Sequence, residues 1–140
     1  MDGTRNRAYR YNPSRSVSRE IIHSKWQDAI EQLSEGEPFD AIYYDAFAES
    51  YRDLREFFEA VVGMLKPDGI FSFFNGLGAD RFIVNDVYSV VVALDMAGFG
   101  MDVNYATIPV NLDEQTWKGT KTGRYWELDR YLLPICKFVE

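Results

Sequence analysis

The chain has 140 residues, of which 46% are hydrophobic and 16% are aromatic. This length fits one domain, and the apolar content is sufficient for a buried core, which excludes an intrinsically disordered protein. The formal net charge is −7. Five arginines and one aspartate give residues 1–19 a charge of +4, so the rest of the chain carries −11. An acidic body lacks the clustered Lys and Arg that neutralise phosphates, so no nucleic acid is expected as its partner. The alternative is that the basic residues 1–19 touch RNA or an acidic surface.

Cysteine and hydropathy indicate the compartment. Cys136 is the only cysteine, so an internal disulfide is impossible and a reducing environment is expected. The sequence shows no secretory signal and no apolar run long enough to cross a bilayer. We therefore expect a soluble protein of the cytoplasm, the nucleus or both, without a membrane partner. His23 has no other ligand type at suitable spacing, so no metal site is predicted.

Residues 1–19 are predicted to form a flexible basic arm, because they are rich in Arg, Asn and Ser and lack an apolar period. The predicted domain covers residues 20–140. It begins with a short strand over Glu20–Ser24, followed by a brief helix from Trp26 to Leu33.

Trp26 and Gln27 place an aromatic ring and an amide directly after the first predicted strand. Such a pair can stack on a purine and form hydrogen bonds with it. The alternative is that Trp26 is a core residue at the start of a helix.

The segment from Phe39 to Asp80 is predicted to form a strand, a helix and a second, parallel strand. The short, aromatic-rich run Ala41–Tyr44 is typical of a buried strand, and it ends at Asp45. Pro67 and the pair Asp68-Gly69 are expected to end the helix and turn into the strand Ile70–Phe74. The apolar stripe of the helix has three- and four-residue spacing and consists of Tyr51, Leu54, Phe58, Val61 and Leu65.

A second helix is predicted between Asp80, its expected N-cap, and Gly98. Its expected core-facing stripe consists of Ile83, Val87, Val90, Val91 and Leu94.

The C-terminal part contains two predicted strands, Val103–Val110 and Tyr131–Phe138, joined by a polar loop over residues 111–124. Because a loop without a helix joins them, we expect these strands to pair antiparallel. Pro134 cannot donate a ladder hydrogen bond, which predicts a bulge or a position where the missing N–H does no harm.

Asp45 and Glu49 are the first candidates for chemistry. A carboxylate at the carboxyl end of a strand lies where ligands bind in open α/β sheets. Together the two could bind a guanidinium group, whose planar fork matches two carboxylate oxygens. Alternatively, either side chain could cap the next helix.

The loop Asn75-Gly76-Leu77-Gly78 is the remaining candidate. Its glycines could let a ligand approach the backbone, or the loop could simply be a turn. The spacing matches neither a dinucleotide-binding glycine motif nor a phosphate-binding loop.

Five segments together resemble a known family over roughly residues 21–138. The similarity is to the carboxy-terminal part of the fungal δ-N (type IV) protein arginine methyltransferases and, more distantly, to guanidinoacetate N-methyltransferase. The segments are W-Q-D (Trp26–Asp28), F-D-A-I-Y-Y-D-A-F (Phe39–Phe47), L-K-P-D-G-I-F-S-F-F-N-G-L-G-A-D (Leu65–Asp80), T-W-K-G-T (Thr116–Thr120) and Y-L-L-P-I-C-K (Tyr131–Lys137).

The resemblance implies an α/β, Rossmann-like class I methyltransferase fold that uses S-adenosylmethionine. It also implies the sheet order 3-2-1-4-5-7-6 and the role of each candidate residue. Trp26 and Gln27 would bind the cofactor, and Asp45 would bind the guanidino group, with Ala46 in place of the usual Thr. Gly76 and Leu77 would lie on the substrate side. The implied catalytic residues are Asp45 and, as an optional partner, Glu49.

The glycine-rich turn that binds the methionine part of the cofactor in this fold is not found in the sequence. We therefore expect an incomplete fold: the carboxy-terminal half, with parallel strands followed by a terminal antiparallel pair. The edge of the strand starting at Phe39 would then be open, and it could aggregate, form a dimer or accept the strand around Ile21.

The predicted function is methyl transfer to an arginine of a protein, such as a ribosomal protein, with the help of an upstream half. The alternatives are methylation of a small guanidino compound and a non-catalytic binding module.

Overall fold

The computed structural model describes residues 7–11, 17–45, 50–121 and 123–140. The chain forms two compact units, residues 1–37 and residues 38–140. In the described ranges, no helix is both long and apolar enough to span a membrane.

The first unit contains two antiparallel strands and a helix. Strand β1 is Arg7–Tyr11 and pairs with β2, Val17–Ile21. Helix α1 is Trp26–Ser34, as predicted. Strands thus stand where the sequence predicted an arm without regular structure, and β2 lies upstream of the strand expected at Glu20–Ser24. The β-forming tyrosines and β-branched residues of these two segments outweigh the high Arg and Ser content that suggested an arm.

The second unit is built on a four-stranded sheet in the order β3-β4-β6-β5. Strands β3 and β4 are parallel, whereas β6 is antiparallel to both β4 and β5. This confirms the predicted crossover unit and the predicted antiparallel C-terminal pair. The elements are β3 (Phe39–Tyr44), α2 (Tyr51–Met64), β4 (Leu65–Phe73), α3 (Phe82–Gly98), β5 (Met101–Pro109), a short 3-10 helix (Glu114–Trp117) and β6 (Arg130–Phe138).

Helix α2 begins with a reciprocal capping box. The backbone N–H of Asp53 donates to the Ser50 hydroxyl at 3.4 Å, and the Ser50 N–H donates to the Asp53 carboxylate at 2.9 Å. Two N–H groups at the helix start are thereby satisfied, which fixes where the helix begins.

The junction of α2 and β4 differs from the prediction. The helix ends at Met64 and the strand begins at once with Leu65, so the expected turn at Asp68-Gly69 is part of β4. A Cβ atom on Gly69 would lie 2.7 Å from the Leu65 side chain. Gly69 therefore permits close packing of Leu65 rather than a turn, and a register shift opposite β3 takes up the extra residues.

The core between α2 and the sheet is aromatic. Phe58 is fully buried, with its ring 5.8 Å from Phe71 and 5.7 Å from Phe73. Tyr44 packs against Phe57 at a ring distance of 4.4 Å. Of the stripe predicted for this helix, Leu54, Phe58, Val61 and Leu65 are buried, and Phe57 and Met64 extend it.

Helix α3 has the opposite orientation to the prediction. Its buried residues are Asn85, Ser89, Val92 and Met96. The stripe expected to face the core is exposed, with Ile83 78% and Leu94 68% accessible. Because the helix carries apolar residues on all of its sides, the spacing of these residues does not identify the face that packs on the sheet. Hydrogen bonds of Asn85 and Ser89 to other buried groups turn that side inward.

Two smaller predictions concern the N-cap of α3 and the position of Pro134. Arg81 rather than Asp80 is the N-cap of α3, because the Asp80 carboxylate lies 3.4 Å from the Arg81 guanidinium instead of capping the backbone. Pro134 pairs opposite Tyr105 in an unbroken register, so the predicted bulge is wrong and the alternative of a tolerated ladder position stands. Strand β4 pairs with β6 at Phe71 and Cys136.

A buried thiol and two buried phenols make the stability of the fold decrease at alkaline pH. Burial raises the pKa of the Cys136 thiol from 9.0 to about 12, and those of the Tyr105 and Tyr131 phenols from 10.0 to about 12. The folded state therefore holds these protons more tightly than the unfolded state. Their stabilising contribution is complete below about pH 9 and is lost as the pH rises towards 12.

We expect the free energy of unfolding, measured in urea at a series of pH values, to fall steadily above about pH 9. Replacement Cys136→Ala should lower stability at neutral pH and flatten this fall. The control Tyr125→Phe, at a side chain that is 49% exposed, should leave the pH profile unchanged. A flat profile up to pH 11 in the unmodified chain would contradict the expectation.

Candidate functional site

The ends of β3 and β4 and the start of β6 meet at one side of the sheet, here called the carboxyl edge. Strands β3 and β4 are parallel and end there, whereas β6 runs in the opposite direction and begins there. The backbone N–H of Phe74 donates to the Tyr44 carbonyl at 2.9 Å. This bond holds the two strand ends together one residue before Asp45.

Asp45 lies at the carboxyl edge with an exposed side chain, as the sequence predicted. Glu49, its predicted partner, lies outside the described residues. The phenol of Tyr131, at the start of β6, is within electrostatic range of both Tyr43 and Asp45. Burial is the main cause that raises the pKa of Tyr131 to about 12; a hydrogen bond from Asn75 opposes the rise, and Tyr43 and Asp45 add to it. At physiological pH Tyr131 is therefore a neutral hydroxyl close to an ionisable carboxylate.

Three aromatic rings beside Tyr131 form what we call the aromatic wall: Phe74, Trp126 and Tyr131. Phe74 stacks on Tyr131 with ring centres 5.8 Å apart and planes inclined by 17°. Trp126 packs against both rings, at 5.5 Å from Tyr131 and 6.4 Å from Phe74. Phe74 remains 37% exposed, so the wall presents a ring to solvent.

Sequence reasoning missed Tyr131, Phe74 and Trp126 as parts of a site. Tyr131 and Phe74 lie within segments that carried the family resemblance, but no role in a site was assigned to them there. The signal available was their position at strand ends, on the side of the sheet that carries Asp45. A carboxylate and an exposed aromatic face are the two groups that a guanidinium binds best.

Buried amide and hydroxyl groups hold the loop after β4. The Asn75 backbone N–H donates to the Tyr131 hydroxyl at 3.0 Å. The Asn75 side-chain amide donates to the Leu132 carbonyl at 3.0 Å and to the Ser89 hydroxyl at 3.3 Å. Asn75 is only 2% exposed, so these bonds form away from water and fix the loop against both β6 and α3.

Asn85 continues this arrangement along α3. Its side-chain amide donates to the backbone carbonyl of Leu77 at 2.8 Å. The Ser89 hydroxyl donates to the backbone carbonyl of Asn85, one turn earlier in the helix, at 2.9 Å. Gly78 has φ +70°, and a Cβ atom there would lie 2.7 Å from the Asn85 nitrogen. The loop needs glycine at this position for both conformation and space.

Gly76 and Leu77 stay predicted substrate-side residues. At Gly76 the space that a Cβ would take is filled by the Phe74 ring, 2.6 Å away. Packing against the aromatic wall therefore explains this glycine. Leu77 is half-buried and held by its main chain.

The T-W-K-G-T segment follows β5, which also ends at the carboxyl edge. Asp113 caps its 3-10 helix by accepting from the Thr116 N–H at 3.0 Å. Trp117 packs against a small cluster of Ala79, Trp126 and Leu128. This segment thus packs against Trp126, the member of the aromatic wall that belongs to this cluster.

Trp26 and Gln27, the predicted cofactor-binding residues, lie in the first unit. They are the first two residues of α1. The Trp26 side chain is half-buried and that of Gln27 is exposed. The partly accessible ring and the accessible amide suit stacking on an adenine and hydrogen bonding to it.

The chain is similar to fungal proteins named Protein arginine N-methyltransferase 2. That of Aspergillus fumigatus is 51% identical over 123 residues, which cover 86% of this chain and 29% of that protein. The Yarrowia lipolytica protein is 47% identical over 124 residues, covering 84% and 26%. The Saccharomyces cerevisiae protein is 43% identical over 122 residues, covering 84% and 29%. The predicted resemblance is confirmed, and the chain spans less than a third of the length of these relatives.

A comparison with protein-family models gives no match. Among solved structures, the M1.HpyAVI–SAM complex is similar with a TM-score of 0.56 at 16% identity, covering 83% of this chain and 53% of that chain. Precorrin-6y C5,15-methyltransferase from Geobacter metallireducens has a TM-score of 0.48 at 17% identity, covering 78% and 49%. The first likeness, at this identity, concerns the fold alone. It confirms the predicted Rossmann-like class I methyltransferase fold in incomplete form.

Replacement Asn85→Ala is expected to destabilise the chain by about 1–3 kcal/mol, because the Leu77 carbonyl loses the donor that the buried Asn85 side chain supplies. Urea unfolding should show a lower midpoint with an unchanged slope. Asn104→Ala, at an exposed position of β5, is the matched control and should change stability by less than about 0.5 kcal/mol. Equal stability of the two variants would show that the Asn85 bond is not needed.

Proposed function

We propose that this chain, a homologue of the fungal protein arginine N-methyltransferases 2, provides the substrate-binding part of an S-adenosylmethionine-dependent enzyme that methylates the δ nitrogen of arginine in a protein. The observation that carries the proposal is the carboxyl edge, where an exposed Asp45 lies near the neutral hydroxyl of Tyr131 and the aromatic wall. The δ-N type and a ribosomal protein as substrate rest on the family resemblance.

The site binds the guanidinium group by charge and shape. The carboxylate of Asp45 pairs with the cationic group and restricts its rotation, so that one nitrogen is directed at the methyl donor. The exposed ring of Phe74 offers a face for the planar guanidinium. Because Tyr131 stays neutral, Asp45 is the group of this pair that carries the negative charge for the guanidinium. Positioning and electrostatic stabilisation are thus the contributions of this chain.

The cofactor would be held in part by the first unit. Trp26 and Gln27 would bind the adenine through stacking and one hydrogen bond. When bound, S-adenosylmethionine supplies an electrophilic methyl group to the nitrogen. We propose that the methionine part of the cofactor is bound by protein outside these 140 residues, because the chain spans only about 29% of its Aspergillus relative.

A chimera tests the role of Asp45. The segment of 123 residues matched in the Aspergillus fumigatus relative is replaced by the corresponding segment of this chain, and transfer of a labelled methyl group to arginine-containing protein is measured. We expect activity, with δ-N-methylarginine in the hydrolysed product. The variant Asp45→Asn should reduce kcat/KM by about a hundredfold to a thousandfold, because a preorganised charge is lost.

Asp68→Asn is the matched control, since Asp68 is also an exposed carboxylate, in β4 at the end where that strand starts. It should leave kcat/KM unchanged. Methylation of guanidinoacetate but not of protein would replace the proposed substrate class with a small guanidino compound. An inactive chimera that is folded and binds no cofactor in calorimetric titration would support the non-catalytic module instead.

Gln27→Ala tests the cofactor assignment in the same chimera. Loss of one hydrogen bond should raise the KM for S-adenosylmethionine about tenfold and leave kcat much less affected. Gln32→Ala, also exposed on α1, should behave like the parent. An unchanged KM in Gln27→Ala would remove Gln27 from the cofactor site.

A further inference from the structure

The connection between β5 and β6 is much longer than an antiparallel pair requires. Hairpin connections usually have about two to five residues, whereas β5 ends at Pro109 and β6 begins at Arg130. Long connections of this kind within a folded domain are commonly binding loops or lids that cover an active site. Because β5 ends at the carboxyl edge, the additional residues are attached at the side of the sheet that carries Asp45.

The two halves of this connection differ. The second half belongs to the fold, since the Glu127 N–H donates to the Ala79 carbonyl at 2.9 Å and Trp126 is buried. In residues 111–121, which we call the strap, every residue except Trp117 is exposed. The hydrogen bonds of the strap between described residues join partners three positions apart in the chain. These bonds shape the strap but do not attach it to the domain.

Trp117 attaches the strap to the domain, and we call it the latch. Its half-buried ring packs against the cluster of Ala79, Trp126 and Leu128 and lies 4.9 Å from the Tyr125 ring, edge to face. Trp126 also belongs to the aromatic wall, so the strap is held directly beside the candidate site. Because the other residues of the strap are exposed, detaching this one ring frees the strap.

The attachment is incomplete. The Trp117 indole nitrogen is buried, and among the described residues it has no hydrogen-bond acceptor. A buried donor without an acceptor opposes the burial of the ring that carries it. At the downstream end of the strap, Gly123 has φ +66°, and glycine changes its backbone conformation at the least steric cost. A weakly held ring and a glycine at one end are features of a segment that opens locally.

The strap is long enough to reach Asp45. In the order β3-β4-β6-β5, β5 lies three strand spacings from β3, which is about 14 Å. At about 3.3 Å per residue, a strap of this length attached at both ends extends to about 18 Å from its base. The side chain at the end of β3 therefore lies within its range.

We propose that the strap is a lid of the carboxyl edge: Trp117 leaves its cluster, and the strap closes over an arginine side chain bound at Asp45. The inference rests on the function proposed above, since it requires a guanidinium group at this carboxylate. Asp45 is exposed, and water around it weakens its attraction for the guanidinium. A segment that closes over the bound group excludes this water and retains the substrate during methyl transfer.

Hydrogen exchange tests the closure in the chimera described above. The ligands are the blocked peptide Gly-Gly-Arg-Gly-Gly and S-adenosylhomocysteine, and calorimetry measures whether they bind. The backbone N–H groups of the strap should exchange at least about tenfold more slowly with both ligands than without the peptide. The same peptide with Lys in place of Arg is the control and should not slow the exchange.

The two readouts separate the lid from the function. Binding of the arginine peptide without slower exchange in the strap would overturn the lid and leave the proposed function in place. Failure of the chimera to bind this peptide would contradict the proposed function and, with it, the lid.

Variants of Trp117 test the latch. In the 140-residue chain, Trp117→Ala should speed exchange in the strap at least about threefold, with urea unfolding showing that the domain stays folded. In the chimera it should lower the KM for the arginine peptide about threefold, because closing no longer requires the ring to leave its cluster. Leu112→Ala, at a 42% exposed residue of the same strap, is the matched control and should behave like the parent. Equal effects of the two variants, or a raised KM in Trp117→Ala, would overturn the proposal.

Discussion

The hydrogen bonds of Asn75, Ser89 and Asn85 are the constraint on which much of the second unit depends. Each of these side chains is at least 96% buried, and a buried amide without partners would cost more than its packing gains. Their partners lie on three different elements: the loop after β4, the start of β6 and α3 itself. The bonds therefore fix the strand end beside Asp45 and the inner face of α3 together.

This constraint explains why the apolar stripe of α3 that contains Ile83 and Leu94 faces outward. A helix with apolar residues on every side would have no preferred orientation if hydrophobic burial alone decided it. Turning Ile83 and Leu94 inward would expose Val92 and Met96. It would also break the hydrogen bonds from Asn85 to the Leu77 carbonyl and from Asn75 to the Ser89 hydroxyl. The hydrogen-bonding needs of the buried Asn85 and Ser89 thus select the orientation of the helix.

The sequence predicts well what is local and poorly what is decided at a distance. The strand ending at Asp45, the α2 stripe and the antiparallel C-terminal pair follow from short-range pattern and connection length. The α3 orientation depends on Asn85 meeting the Leu77 carbonyl and on Ser89 meeting Asn75, and no period in the sequence reveals these contacts. Tyr131 was missed for the same reason: it is distant from Asp45 along the chain and lies at the same edge of the sheet only because β6 begins at the side where β3 and β4 end.

An exposed Asp45 also limits what this chain can do alone. An ion pair in contact with water contributes about 0–1 kcal/mol, which is too little to orient a guanidinium for reaction. The same pair becomes much stronger when water is excluded. In the part of the chain that the structure describes, β3 has a neighbour on one side only, β4. Protein added at its open side would extend the sheet and could cover the carboxyl edge.

The open edge of β3 selects a partner through its backbone. An edge strand offers backbone hydrogen bonds, which accept many sequences and are satisfied by any well-placed strand. In the sheet order β3-β4-β6-β5, β3 is one of the two outer strands, and Asp45 directly follows it. A strand that completes the methyltransferase sheet at β3 would therefore lie beside the candidate site.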